Sequence, residues 1–529
     1  MTLRDNALVK KYINIDAKGS GSSKMGILVG SFAAFAGILY GYDTGIISGV
    51  LGMDYVTGLF PADKTAFTSS EKSLIVSILS VGTFFGALLA PICSDRFGRK
   101  WTIIFSSLLI FNVGVVLQTI STSIPLLCAG RAVAGFGLGV ISSNVPLYQS
   151  ETLPKWIRGA IVSCYQWAIT IGLFLASVVN NGTKHRNDSG SYRIPIAIQI
   201  LWALILGIGL FFLPESPRFY ITKDKFDDAK KSLSILRGLP EDHPELIAEF
   251  DEIKANYDYE KSVTQSGWLA VFSTKNKQLK RLITGVGLQA FQQLTGVNFI
   301  FYYGTTFFQS SGISNEFLIS LATNIVNVGS TIPGIFLIEI IGRRKLLLGG
   351  AVVMSLSQFV IAITGVATTS DAANKVLVAF SCIFISAFAA SWGPACWAIV
   401  GEIFPLTTRA KSIAISASSN WLWNWAIAYA TPYLVDSGPG NANLGLKVFF
   451  LWGGCNFLCF FFTYFMVYET KGLSLEQVDE LYENVTNAWQ SPKYVPSQLR
   501  FQDTLENKAE TENIDDVMMK TDQSREESV

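Results

Sequence analysis

Three glutamines, Gln289, Gln292 and Gln293, fall at i, i+3 and i+4, and Asn298 follows five residues later. At helical spacing the glutamines share one face. An amide both donates and accepts hydrogen bonds, so this face suits a ligand with a ring of hydroxyls. Tyr302 and Tyr303, just beyond, offer aromatic cover for an apolar ring face. On an ideal helix Asn298 would point away from Gln293; Gly296 between them is expected to loosen the helix and let both face one cavity. Buried amides also glue helices together, yet three glutamines and an asparagine within ten residues exceed what packing needs. Similar side chains recur at Gln166, Asn327, Trp397, Asn420 and Asn424, the last two sharing a face at i, i+4. Trp421 and Trp423 read as packing or interface aromatics.

Asp43 and Arg131 could do a different chemistry. They are the two charged residues expected deep inside apolar segments, each seven residues from the same end of its segment, roughly 10 Å at 1.5 Å per residue. Equal depth is what a pair requires, and a lone charge there would be costly. A carboxylate held ionised by a guanidinium can take a proton and release its partner. A static pair between two helices would leave the same pattern.

The elements that must position these residues are membrane spans. Of 529 residues, 50% are apolar and only 15% charged, with a net charge of +1, against about 25% charged in soluble domains. Segments of the ~20 residues that cross a bilayer fall near 26–50, 74–93, 102–120, 124–147, 160–180 and 194–213. A second set falls near 282–308, 317–340, 346–368, 376–401, 412–434 and 448–468. The expected organisation is an N-terminal segment 1–24, a six-helix half 25–213, a polar helical central loop 214–281, a second six-helix half 282–468 and an acidic tail 469–529. That tail carries fourteen Asp/Glu against six Lys/Arg and reads as largely disordered after a short helix around Ser474–Tyr482.

Loops on the side of the N-terminus hold ten Lys/Arg and the opposite loops seven. With the basic start (Arg4, Lys10, Lys11, Lys18, Lys24), this places both termini and the central loop in the cytoplasm. Asn181 and Asn187 head N-x-[ST] sequons in the outer 5–6 loop and are candidate glycosylation sites. The seven cysteines all sit in apolar segments, so no disulfide framework is implied. Two histidines, no GxxxxGK[ST] loop and no nucleophile–base constellation leave no basis for a metal site, ATP hydrolysis, a cofactor or an enzyme. Nothing in the charge balance calls for nucleic acid. Gly135, Gly137 and Gly139 lie mid-helix without a preceding strand and read as close helix packing.

The halves repeat. Asp95-Arg96-Phe97-Gly98-Arg99-Lys100 follows span 2, and Glu339-Ile340-Ile341-Gly342-Arg343-Arg344 follows span 8. Glu151 and Arg158 flank the end of span 4 as Glu402 and Arg409 flank that of span 10, at offsets of 244 and 251 residues. These charges are expected to bridge helix ends in one conformation and part in another, as a gate on the cytoplasmic face.

At these residues the chain resembles the sugar porter family of the major facilitator superfamily. Val133-x-Gly135-Phe136-x-x-Gly139 with Tyr148, Glu151 and Arg158 matches one family signature, and the two GR[KR] loops another. Pro214-Glu215-Ser216-Pro217-Arg218 and Glu469-Thr470-Lys471-Gly472 are similar to the boxes after spans 6 and 12. Tyr468 replaces a usual proline and Pro91 a common glycine, both at expected cytoplasmic hinges. The chain looks most like fungal (yeast) glucose/xylose–proton symporters.

The resemblance implies an all-α membrane protein of twelve transmembrane helices in two pseudo-symmetric halves. It implies plasma-membrane monosaccharide uptake, glucose or xylose for example, by alternating access. Gln166, Gln292, Gln293, Asn298, Asn327, Trp397, Asn420 and Asn424 match sugar-contacting positions, and Tyr40 an aromatic that covers the sugar. Asp at position 43 occurs in proton symporters and in some facilitators of the family, so a proton as co-substrate and a facilitative uniporter both stay open. A non-transporting sugar sensor on the same scaffold is a third reading; such sensors usually carry longer tails than the 61 residues after 468.

Overall fold

The computed structural model of the chain describes residues 24–61, 67–263, 267–310, 316–368, 370–435 and 440–496. The N-terminal segment up to 23 and the tail from 497 lie outside the described residues. Six long helices form the first half: α1 Lys24–Val50, α2 Ser69–Phe97, α3 Arg99–Thr119, α4 Ile124–Thr152, α5 Arg158–Thr183 and α6 Gly190–Phe211. The second half holds α7, in two pieces Gln278–Leu294 and Val297–Ser310, then α8 Glu316–Ile340 and α9 Arg343–Ala367. It continues with α10, also in two pieces Asp371–Ala390 and Trp392–Glu402, then α11 Arg409–Val435 and α12 Val448–Met466.

Most helices overrun the apolar stretches by two to five residues at the charged end. Hydropathy stops where charge begins; a helix stops where its backbone is capped. α2 continues through Asp95 and Arg96 to Gly98, whose φ of +100° ends it, and Gly342 at φ +93° ends α8 in the same way. At its other end α2 is closed by a capping box between Thr68 and Glu71.

Among the described residues ten helices are long and apolar enough to cross a membrane. The two spans that fall short are α7 and α11, which carry Gln289, Gln292, Gln293, Asn298, Asn420 and Asn424. Large apolar side chains stay exposed along the outer faces, such as Leu356 and Ile363 on α9 and Phe457 and Phe461 on α12, as a lipid-facing surface requires.

Within the first half α2 packs on α4 and α1 on α5; within the second α9 packs on α10 and α12. The halves meet where α2 lies on α11 and α5 on α8. Close approach explains the glycine run: a Cβ on Gly135 would stand 2.3 Å from the Leu79 carbonyl oxygen, and one on Gly139 2.2 Å from that of Thr83.

The central segment forms helices Pro217–Thr222, Phe226–Arg237 and Pro244–Val263. Their own small core, including Leu233, Leu246 and Phe250, also takes in Leu406 from the second half. After α12 the helix Leu475–Asn484 is capped by Ser474 and Gln477. The chain does not loosen there as expected, because Trp489 stacks on Tyr464 with ring centres 5.9 Å apart.

Candidate functional site

The break in α7 organises the site. Gly296 has φ +81°, a left-handed conformation that L side chains avoid, and a Cβ there would lie 2.6 Å from the Trp452 ring. Backbone polar groups freed by a break inside a membrane need partners. The Thr295 carbonyl accepts from Gln358 at 2.8 Å and from Asn456 at 3.1 Å. Sequence reasoning missed both amides; each is isolated in an apolar run, and only the break gives it work. Past the break, Asn298 turns back and donates to the Gln293 side chain.

α10 breaks beside it at Ser391, ahead of Pro394, which has no N–H to continue the ladder. Gln292 donates to the carbonyls of Trp392 and Gly393 at 3.0 and 2.9 Å. Asn420 on α11 donates to Gln289 and Gln292 at 2.7 and 2.8 Å, and accepts from Gln293 at 2.9 Å.

A cavity opens between the halves at this network. Its polar wall is Thr44, Gln166, Gln292, Gln293, Asn298 and Asn327; its aromatic wall is Tyr40, Phe301, Phe388 and Trp397. Ile169, Leu173 and Val297 complete it. It is contracted to about 30 Å³, space for a few waters at most. The Asn327 side-chain oxygen has no hydrogen-bond partner among the described residues. Tyr40 covers one end, its ring edge-on to Trp421 at 4.7 Å, and Trp421 is buried with its indole N–H on Ser142 at 3.0 Å.

Four expected contacts stand behind the wall rather than on it. Asn420 and Asn424 hold the glutamines, Tyr302 donates to Asn424 at 2.9 Å, and Tyr303 donates to the Ala428 carbonyl at 2.8 Å. The wall's apolar members and Thr44 were not foreseen, although Thr44 lies at i+4 from Tyr40 on the same face.

Asp43 and Arg131 are both buried and stand 3.7 Å apart. Arg131 donates its Nε–H to the Ile75 carbonyl at 2.8 Å. Neither Asp43 oxygen makes a hydrogen bond of ordinary geometry among the described residues, and Gln199 is its polar neighbour. Asp43 adjoins Thr44 of the cavity wall, so the ion pair and the amide site are neighbours.

The charged loops form two matching clusters. Arg99 pairs with Glu151 at 3.1 Å and Asp95 at 3.8 Å. Arg343 pairs with Glu402 at 3.0 Å and Glu339 at 2.8 Å. Ser216 donates to Glu151 at 2.5 Å, as Thr470 donates to Glu402 at 2.6 Å.

Arg158 and Arg409 each donate to a carbonyl five residues earlier, Leu153 and Phe404, and lie within charge–charge reach of the other half's carboxylate, Arg158 of Glu402 and Arg409 of Glu151. The seven-residue spacing includes a loop that aims each guanidinium at its own backbone. Arg96 is exposed beside Phe97 and makes no ion pair among the described residues. Arg344 reaches the carbonyls of Thr463, Tyr464 and Val467 at the end of α12 instead of a carboxylate. Tyr468 accepts from Lys280 at 2.9 Å and donates to the Thr486 carbonyl at 2.7 Å.

Bonds across the halves close both ends. On the charged face the Ala160 N–H donates to Glu339 at 3.1 Å, and Arg218 pairs with Glu476 at 2.8 Å. On the opposite face Ser73 donates to the Tyr429 carbonyl at 3.0 Å, and Asn324 to Ser177 at 2.8 Å. Burial pushes the Glu476 carboxyl up, but the guanidinium of Arg218, helped by Arg409, more than offsets this and holds it at about 2. Asn187 is exposed in the α5–α6 loop, and Asn181 is exposed in the last turn of α5.

The family described as "Sugar (and other) transporter" matches residues 29–482. Major facilitator-type transporter ecdD of Aspergillus rugulosus is 55% identical, with 90% of this chain and 91% of that one covered. High glucose sensor RGT2 of Saccharomyces cerevisiae is 49% identical over 89% of this chain, which spans 62% of the sensor's length. The fold is similar to that of the proton:xylose symporter XylE bound to 6-bromo-6-deoxy-D-glucose. The TM-score is 0.76 at 27% identity, covering 86% of this chain and 99% of that one. The chain belongs to the sugar transporter family of the major facilitator superfamily.

Proposed function

We propose that this sugar transporter takes up a monosaccharide, glucose or xylose, across the plasma membrane by alternating access, coupled to a proton that titrates Asp43. The observation that carries the reading is a buried ion pair, Asp43–Arg131, set directly beside the amide-and-aromatic cavity between the halves. A sugar entering from outside would replace the bonds that Gln292, Gln293 and Asn298 now make with the protein. Gln166, Asn327 and Trp397 would contact it from the facing walls under Tyr40. Asn420, Asn424, Tyr302 and Tyr303 act one step back, orienting the amides and closing the outer side.

A proton arriving at Asp43 removes the charge that Arg131 faces and makes movement of α1 against α4 easier, so sugar and proton favour the same closed state. The clusters Arg99–Glu151 and Arg343–Glu402 then act as the inner gate, with the central segment, both termini and the charged face in the cytoplasm. The glucose sensor relative and the xylose symporter with its bound glucose analogue support the substrate class.

Sugar uptake into vesicles with simultaneous recording of external pH tests this. Sugar-dependent alkalinisation is expected. Uptake without accumulation, unchanged when the proton gradient is collapsed, replaces symport by facilitated diffusion. The sensor relative favours a second reading, a glucose receptor; saturable sugar binding with no flux at all would select it.

A further inference from the structure

The charged face holds a second, much larger opening, a cleft of about 680 Å³ against about 30 Å³ at the amide cavity. Three parts of the molecule form its walls. Asp95 and Arg99 come from the α2–α3 turn, Lys223, Tyr257 and Lys261 from the central segment, and Thr407 and Lys411 from the start of α11. The charges are unbalanced. Arg99 is already committed to Glu151 and Asp95, which also uses the one carboxylate of the cleft. Lys223, Lys261 and Lys411 have no ion-pair partner among the described residues. Lys223 and Lys261 lie only against aromatic rings, 6.0 Å from the centre of Phe219 and 5.5 Å from that of Tyr257.

Three ammonium groups gathered around one opening repel one another and raise the local potential. A compact anion carrying several negative charges relieves that repulsion, and lysines bind phosphate as point charges without demanding one geometry. The volume leaves room for more than an ion, and Tyr257 adds a ring surface to the wall. We propose that this cleft binds a phosphorylated small molecule on the cytoplasmic side.

The cleft touches both halves and the central segment at once, so its ligand meets complete walls only while these parts stay together. It therefore binds the conformer closed on this face better than the open one and slows the transport cycle by that difference. The slowing depends on the transport reading above; the binding does not.

The test uses the full chain in nanodiscs of uncharged lipid, titrated by calorimetry with tripolyphosphate, ATP and glucose 6-phosphate. Saturable binding is expected for at least one. It should weaken at least tenfold in the Lys223→Gln/Lys261→Gln/Lys411→Gln variant, be kept by the matching Lys→Arg variant, and fall with added salt. Tripolyphosphate equal to ATP means that charge alone is read. Tighter ATP, lost in Tyr257→Leu, means that a base stacks on the ring. Tighter glucose 6-phosphate identifies a sugar phosphate. Absence of saturable binding at millimolar concentration, or a glutamine variant that binds like the parent, overturns the proposal. If the glutamine variant fails to fold, the arginine variant and the salt titration still decide. In vesicles, the anion trapped on the cytoplasmic side should slow sugar exchange several-fold; binding without slowing keeps the site and removes its regulatory role.

Discussion

Arg131 Nη1 stands 3.7 Å from Asp43 Oδ1, near enough for an ion pair and too far for a hydrogen bond. The acid is held chiefly by charge: neither oxygen makes a hydrogen bond of ordinary geometry among the described residues, and the Gln199 side chain is the polar neighbour beside it. A buried pair in this state tolerates a change of protonation better than one locked by short bidentate bonds, because no short Arg131–Asp43 hydrogen bond must first be broken.

Asp43→Asn should abolish sugar-driven proton movement while leaving sugar exchange between equal pools. It also leaves Arg131 buried without its counter-charge, which typically costs about 3–5 kcal/mol. The Asp43→Asn/Arg131→Gln double variant should recover part of that stability without recovering coupling. Thermal unfolding and pH-coupled uptake, measured on the same preparations, check both statements. Full coupling in Asp43→Asn would move the proton site elsewhere.

Gln292→Ala should weaken sugar binding by roughly ten- to a hundredfold, the effect of removing a hydrogen-bonding group from a closed polar site. Part of the loss comes from the Trp392 and Gly393 carbonyls it now serves. Equilibrium binding of radiolabelled glucose or xylose reads the effect. Unaltered affinity would take Gln292 out of the site.

Gly296→Ala should destabilise the protein by about 2–4 kcal/mol, the sum of a left-handed non-glycine residue and a Cβ driven into Trp452. If the variant folds by straightening α7, Asn298 and Gln293 separate and sugar affinity falls as well. Melting temperature and sugar binding together distinguish the two outcomes.

Glu476 predicts an acid-side dependence. Its carboxyl, held at about 2 in the folded state against 4.5 normally, favours folding above pH 4.5. That contribution, up to about 3 kcal/mol by linkage, fades as pH drops from 4.5 toward 2. Glu476→Gln should lose stability at neutral pH and flatten the curve in that window. Unfolding of both proteins between pH 2 and 7 checks it; parallel curves would mean that the Arg218 pair contributes nothing.

Some of this was legible in linear order. Ten of the spans meet the apolar length of about twenty residues that a bilayer demands, while α7 and α11, diluted by amides, fall short of it among the described residues. The repeat of the charged loops follows from identical spacing in the halves. The amide face of α7 follows from helical period, and the softness at Gly296 from glycine's freedom at positive φ.

Other features were decided only by tertiary packing. Which amides line the cavity and which stand behind it depends on how α10 and α11 approach α7, and Asn420 and Asn424 are lost to the wall for that reason. Gln358 and Asn456 acquire a role only because a backbone break comes within reach. Arg158 and Arg409 take the carbonyls of their own loops as hydrogen-bond partners while facing Glu402 and Glu151 of the opposite half, an arrangement only packing decides. The ion pair of Asp43 and Arg131 was foreseen from matched depth, but the 3.7 Å gap between them is visible only in the folded chain. Sequence determined which groups enter the membrane at which depth, through hydropathy and period. Tertiary structure decided which of them meet, because a hydrogen bond requires partners within about 3 Å, and no linear spacing carries that precision across two halves of a chain.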